Sequence, residues 1–200
     1  MNNQSQNAID IVLAESLKEL AVTKPIEKIT IKEITDKAGV IRPTFYNHFQ
    51  DKYELLEWIT VNELFAPIEP MLSEGKLRES VSFILSSMVQ EKDFYRRAAQ
   101  LTGQNSFNEV FTQCVAVSVS KYIDVGSLAG IADYPWLKED VVTEFLAHSI
   151  SWVTMRWINK GMTVPVDELT DVYIKIFHSP IIEVIAKTHN PNMNQTNSND

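Results

Sequence analysis

The segment IKEITDKAGVIRPTFYNHFQDKYELL, residues 31–56, constrains the fold more than any other part of the chain. Thr30 stands before IKEITDKA with Glu33 three residues on, the spacing of a capping box. Gly39 then falls where a helix ending in a left-handed residue needs glycine. Pro43 is tolerated only in a first helical turn, so a second short helix over 42–48 begins almost at once. Asp51 is placed to cap a third helix through YELLEWITVNELF. Two short helices joined across Ala38-Gly39-Val40 have the geometry of a helix-turn-helix.

The side chains divide accordingly. Ile31, Ile34, Ala38, Val40, Phe45 and Phe49 face inward and join the stripe of Ile9, Leu13, Leu17 and Leu20 on a preceding helix over 8–22. Arg42, Thr44, Tyr46, Asn47 and His48 remain for the outer surface, a short polar and aromatic set suited to a DNA major groove. Arg42 reaches phosphate or guanine, and Asn47 a base edge. Thr44, Tyr46 and His48 bond phosphates, although His48 has an alternative role in packing the helix end. Lys52, in the first turn of the next helix, joins the free backbone N–H groups there to hold one phosphate.

The remainder is also helical. Only 6 glycines occur among 200 residues, no β-alternation or internal repeat is present, and helical spacing recurs over about 76–100, 105–124, 137–160 and 167–187. Pro67 and Pro70 are expected to kink or end the helix that Asp51 starts, and Pro180 to bend the last one. The Asn-rich end HNPNMNQTNSND reads as a disordered tail. The expected organisation is all-α: an N-terminal helix-turn-helix domain over 1–58, a helical dimerisation and effector-binding domain over 59–188, and a tail over 189–200.

Charge bears on the choice of partner. The chain carries 18 Lys and Arg against 26 Asp and Glu, a net of −8, which disfavours nucleic acid as a whole-chain partner. The distribution reverses that reading locally. Residues 28–52 hold five basic side chains against three acidic ones, while 61–200 hold 11 basic and 17 acidic. Cys114 is the single cysteine, which excludes a disulfide framework and fits a reducing compartment. No run approaches the ~18 apolar residues of a membrane span, and the N-terminus lacks a basic region followed by an apolar core. A cytoplasmic protein is expected, with no membrane partner.

Ala38, Gly39, Val40, Arg42, Thr44, Phe45, Tyr46, His48, Phe49, Asp51, Lys52, Leu55 and Leu56 together resemble the DNA-binding signature of TetR-type regulators. The similarity covers residues 8–58. It implies a homodimer whose two recognition helices enter successive major grooves of a double-stranded operator. It also implies an all-helical C-terminal domain that dimerises and often binds an effector. Two positions depart from the pattern: Ile41 stands where a hydroxyl-bearing cap is usual, and Pro43 where a small residue is typical. SISWVTMRWINKGMTVPVDEL resembles the segment joining the family's last two helices. Leu146, Ile150, Val153 and Trp157 form one apolar stripe there, and Phe145, Trp152 and Arg156 a second. A helix apolar on two sides packs against its own domain and a partner subunit. The run YNHFQDKYELLEWI looks like a branch in which some members act through a partner protein.

The expected function is a sequence-specific transcriptional regulator, a repressor, controlled by a small-molecule or protein effector. Trp58, Trp136, Trp152 and Met155 are candidates to line the effector pocket, with plain core as the alternative. Glu144 and His148 lie one turn apart but lack the third ligand of a metal site, so neither metal nor cofactor is expected. No nucleophile–base pair or phosphate loop points to an enzyme.

Overall fold

The computed structural model describes residues 3–103, 106–122 and 138–178. Ten α-helices are described: α1 (Asn3–Thr23), α2 (Ile31–Ala38), α3 (Arg42–Tyr46), α4 (Lys52–Ile59), α5 (Glu69–Ser73), α6 (Leu77–Gln90), α7 (Lys92–Ala98), α8 (Phe107–Tyr122), α9 (Glu139–Asn159) and α10 (Val166–His178). No strand occurs among the described residues. The expected tail, Trp136 and the bend at Pro180 lie outside them.

The helix boundaries follow their caps. Thr30 accepts from the Glu33 amide while the Glu33 carboxylate accepts from the Thr30 amide, closing a capping box at α2. Gly39 ends α2 at φ 69°, in the left-handed region where glycine is free of Cβ strain. At α4 the Asp51 carboxylate accepts from the amides of Tyr53 and Glu54 at 2.7 and 3.0 Å. Helix α3 starts without such help, because Ile41 at its N-cap has no side-chain acceptor. It is held from beneath instead. Phe45 is fully buried and packs on Phe49, which meets Trp58 of α4 edge-on at 6.3 Å.

Two expected elements differ. The helix over 76–100 is two helices, with the backbone leaving helical geometry at Glu91, φ −106° and ψ 38°. Pro67 and Pro70 do not stop the chain sharply. Helix α4 runs directly into a π-helical stretch, Thr60–Phe65, then a 3-10 turn, Ala66–Ile68, and α5. Each proline occupies a first-turn position, where its missing N–H has no intrahelical partner to lose.

Helix α1 packs against α2, α4 and α7, while α8 pairs with α9 and α10 lies on α6. The π-helical stretch sits between these groups and touches both α6 and α8. The buried apolar core is continuous across it, from Leu13 and Leu17 through Leu64 to Tyr173. The transition from the N-terminal helices to the rest is thus made by an unbroken helical rod.

Candidate nucleic-acid interface and effector cavity

Helix α3 projects Arg42, Tyr46 and Asn47 into solvent, with Tyr46 57% exposed and Thr44 half-buried. This follows from the burial of Phe45, which turns the flanking positions outward on so short a helix. Ile41 and Pro43 are exposed on the same tip, Ile41 at 68%. Both are apolar contributions to a surface otherwise suited to hydrogen bonding.

His48 and Lys52 have different surroundings from those expected. His48 is mostly buried, and its Nδ1 lies 2.7 Å from a carboxylate oxygen of Asp10 on α1. It ties the end of α3 to α1, as its packing alternative required. Lys52 turns back on the chain: its Nζ donates to the carbonyls of Ile26, Glu27 and Ile29 at 2.8, 2.6 and 2.8 Å. An ammonium has three donors, and here all three close the connection between α1 and α2. Burial lowers the Lys52 pKa, opposed by the carboxylates of Glu27 and Asp51. Lys52 braces the α1–α2 connection in this structure, in place of the outward phosphate contact expected of it.

Lys18 escaped the sequence reading entirely. It is 5% exposed and meets three carboxylates: Glu15 of α1 at 2.7 Å, Glu63 of the π-helical stretch at 3.1 Å, and Glu91 between α6 and α7 at 3.5 Å. Burial pulls its pKa down, but these neighbours outweigh it and the net shift is upward. Burial raises the pKa of Glu63, against the pull of Lys18. The only sequence signal was a lysine flanked by core positions, Leu17 and Leu20, on a helix with packing on several sides.

Of the expected pocket residues, the described ones are not all brought together: Trp58 stands apart from Trp152 and Met155. Trp58 faces Phe49 on the N-terminal side, and Trp152 is 64% exposed on α9. Met155 and Trp152 border an open surface depression together with His148. A cavity of about 80 Å³ lies elsewhere, among α5, α6, α8, α9, α10 and the end of the π-helical stretch. Its walls include Phe65, Ile84, Phe111, Val115, Ile150 and Tyr173. These are ordinary core residues in sequence, which is why no local pattern marked them. Among the described residues, no group of three or more His, Cys, Asp or Glu side chains is arranged to hold a metal, and no helix is long and apolar enough to cross a membrane. Cys114 is half-buried, and burial, with a smaller contribution from Glu57, pushes its thiol up to about 11.

A three-helix headpiece with a polar recognition tip, mounted by a continuous rod on a helical core, defines a helix-turn-helix DNA-binding regulator. The profile of bacterial regulatory proteins of the tetR family matches residues 15–59, and that of a transcriptional regulator C-terminal region matches 76–179, just over half the chain. The chain belongs to the TetR family of DNA-binding transcriptional regulators. Members of this family are generally not enzymes. The chain is similar to the dhaKLM operon transcriptional activator DhaS of Lactococcus lactis, 23% identical over 84% of this chain and 91% of that one. It is likewise 23% identical to the transcriptional repressor KstR2 of Rhodococcus jostii, over 86% and 88% of the two chains. Its fold matches the solved structure of the dihydroxyacetone kinase operon activator DhaS with a TM-score of 0.60, at 21% identity, over 85% of this chain and 92% of that one.

Proposed function

We propose that the protein is a homodimeric operator-binding repressor whose affinity for DNA is set by an effector held in the cavity of its C-terminal half. One observation carries the reading: the cavity wall and the DNA-reading headpiece share a single helical rod. Phe65, at the end of the rod's π-helical stretch, lines the cavity. Two residues earlier Glu63 is bound to Lys18 of α1. Trp58 of the same rod packs on Phe49, which in turn holds Phe45 of α3. A ligand pressing on Phe65 therefore acts on a π-helical segment, a geometry with strained hydrogen bonding that commonly occurs at functional sites. Conversion of that segment would rotate α4 and with it the spacing of two recognition helices in a dimer. The effector shifts this equilibrium only by its difference in affinity for the two arrangements.

Arg42, Thr44, Tyr46 and Asn47 are the proposed DNA contacts, Arg42 and Asn47 toward base edges and the hydroxyls toward phosphates. Repression needs only that a bound dimer occlude the promoter, and the resemblance to KstR2 supports it. Activation is the second reading, favoured by the resemblance to the activator DhaS. The outer face of α9 is the proposed dimer surface. Phe145 and Trp152 are 67% and 64% exposed, and the Arg156 guanidinium stacks 5.6 Å from the Trp152 ring.

Footprinting on DNA upstream of the gene tests the reading. Two protected half-sites about one helical turn apart are expected. Arg42→Ala and Asn47→Ala should relax discrimination among sequences by about 1–3 kcal/mol per contact. Uniform weakening on every DNA, with discrimination intact, would remove these side chains from base readout. A promoter fusion that loses activity when the gene is deleted would replace repression by activation.

A further inference from the structure

The cavity wall is selective in its chemistry. Among the described lining residues four hydroxyls reach it, those of Ser80, Ser118, Thr154 and Tyr173. Each is already engaged. Ser80 donates to the Lys76 carbonyl at 2.8 Å and Ser118 to the Cys114 carbonyl at 3.0 Å. Thr154 and Tyr173 lie 2.7 Å apart, and both reach the Ile150 carbonyl, at 2.9 and 3.2 Å. Two hydroxyl protons thus serve one internal contact and one carbonyl, and neither is left over. No charged side chain stands among the described lining residues. Among the described lining residues, a carboxylate or phosphate entering the cavity meets no cation and no unclaimed donor, and an ammonium meets no carboxylate. Either gives up its hydration without compensation. Leu72 and Leu77 are shared with an open depression that includes Arg78 and Glu79; neither of these lines the cavity, and Arg78 is paired with Asp171 of α10 at 2.5 Å.

We propose that the effector is an uncharged, predominantly apolar small molecule, whose single polar group, where present, is a hydroxyl donating to the Thr154–Tyr173 oxygens. The proposal rests on the reading of this cavity as the effector site. The volume of about 80 Å³ is well below the ~150 Å³ of an apolar cavity that accepts benzene. Such a space holds a chain of about three or four heavy atoms, fewer than a benzene ring has.

Three probes of matched length test it on the full chain: 1-propanol, propanoate and propylamine. Saturable binding is followed by titration calorimetry, contact by nuclear Overhauser effects from probe protons to the methyls of Val115 and Ile150, and function by operator affinity with and without probe. The alcohol should bind at least about tenfold more tightly than either ion, give the wall contacts, and change operator affinity. Val115→Phe, which fills the space, should weaken the alcohol by a similar factor, and the wild-type contacts carry the test if that variant fails to fold. Propanoate or propylamine binding in the cavity as tightly as the alcohol overturns the neutral class and leaves the effector site standing. Alcohol binding with wall contacts but no change in operator affinity overturns effector control and leaves the cavity's chemistry standing. Absence of saturable binding or of wall contacts for all three overturns both.

Discussion

Lys52 shows how one side chain can be read two ways from sequence and one way from structure. At the start of a helix beside a DNA-reading tip, an ammonium suits a phosphate. Here its three donors are bound to the carbonyls of Ile26, Glu27 and Ile29. These acceptors belong to a 3-10 turn, Ile26–Lys28, and to the residue that follows it, before α2. Replacing Lys52 with Met leaves carbonyls without partners, and the cost of such groups is about 1–3 kcal/mol. Lys52→Met should therefore lower unfolding free energy by that amount in chemical denaturation without DNA. A residue whose work was confined to phosphate binding would leave the DNA-free stability unchanged and alter only the salt dependence of binding. His48 follows the same logic, since its partner is Asp10 and not solvent.

At the scale of elements, α2 and its turn make the clearest case. Glu33 is held by Lys24, at 2.6 and 2.8 Å, and by the Thr30 amide and hydroxyl, and these contacts lower its pKa from 4.5 to about 2. A carboxylate depressed in the folded state adds stability above its unfolded pKa and loses it as pH falls through the folded value. The Glu33 contribution should be constant above about pH 4.5 and vanish toward pH 2. Glu33→Gln should erase that part of the acid limb, as read from denaturation midpoints between pH 2 and 6. An unchanged limb would place the cap's stability elsewhere. Gly39, three residues before α3, sits at φ 69° with no atom within 4 Å of the position a Cβ would take. The obstacle to substitution is thus the backbone conformation and not crowding. Gly39→Val should cost about 1–2 kcal/mol and displace α3 enough to abolish operator binding, whereas Gly39→Asn should be milder because asparagine visits this region. Equal effects of the two would point to a contact that the wild-type geometry does not contain.

For the whole molecule the informative contrast lies on α9. Sequence periodicity assigns two apolar stripes, and the one with Val153 and Trp157 is the stripe expected to carry the dimer contact; the structure turns it inward instead. Trp157 belongs to the inner one: it is 5% exposed, and its indole N–H donates to the Val164 carbonyl at 2.9 Å. Phe145 and Trp152 belong to the outer one. A charge at Trp157 should unfold the protein, since burying an unpaired charge is among the most destabilising changes. Trp152→Glu should instead leave helical circular dichroism intact and shift sedimentation from dimer to monomer, with loss of operator binding. A Trp152→Glu protein that stays dimeric would move the interface to another surface. The Lys18 cluster works at this scale too, since it ties α1 to the π-helical stretch and to the α6–α7 junction.

The all-helical class, the capping box at Thr30, the left-handed Gly39, the cap at Asp51 and the burial of Phe45 and Phe49 were determined by the sequence alone. Each depends on residues within a few positions of one another, so local hydrogen bonding and helical spacing are sufficient to specify it. The split of 76–100 at Glu91, the π-helical continuation of α4, the roles of Lys18 and Lys52, and the cavity around Phe65 and Tyr173 were decided only by the tertiary structure. Lys52 finds its acceptors 23 to 26 residues away and Lys18 its partners on other elements 45 and 73 residues away, while the cavity joins Phe65 to Tyr173. Partners at such distances leave no periodic trace, because a side chain's burial and the identity of its acceptors depend on which helices come to lie against it.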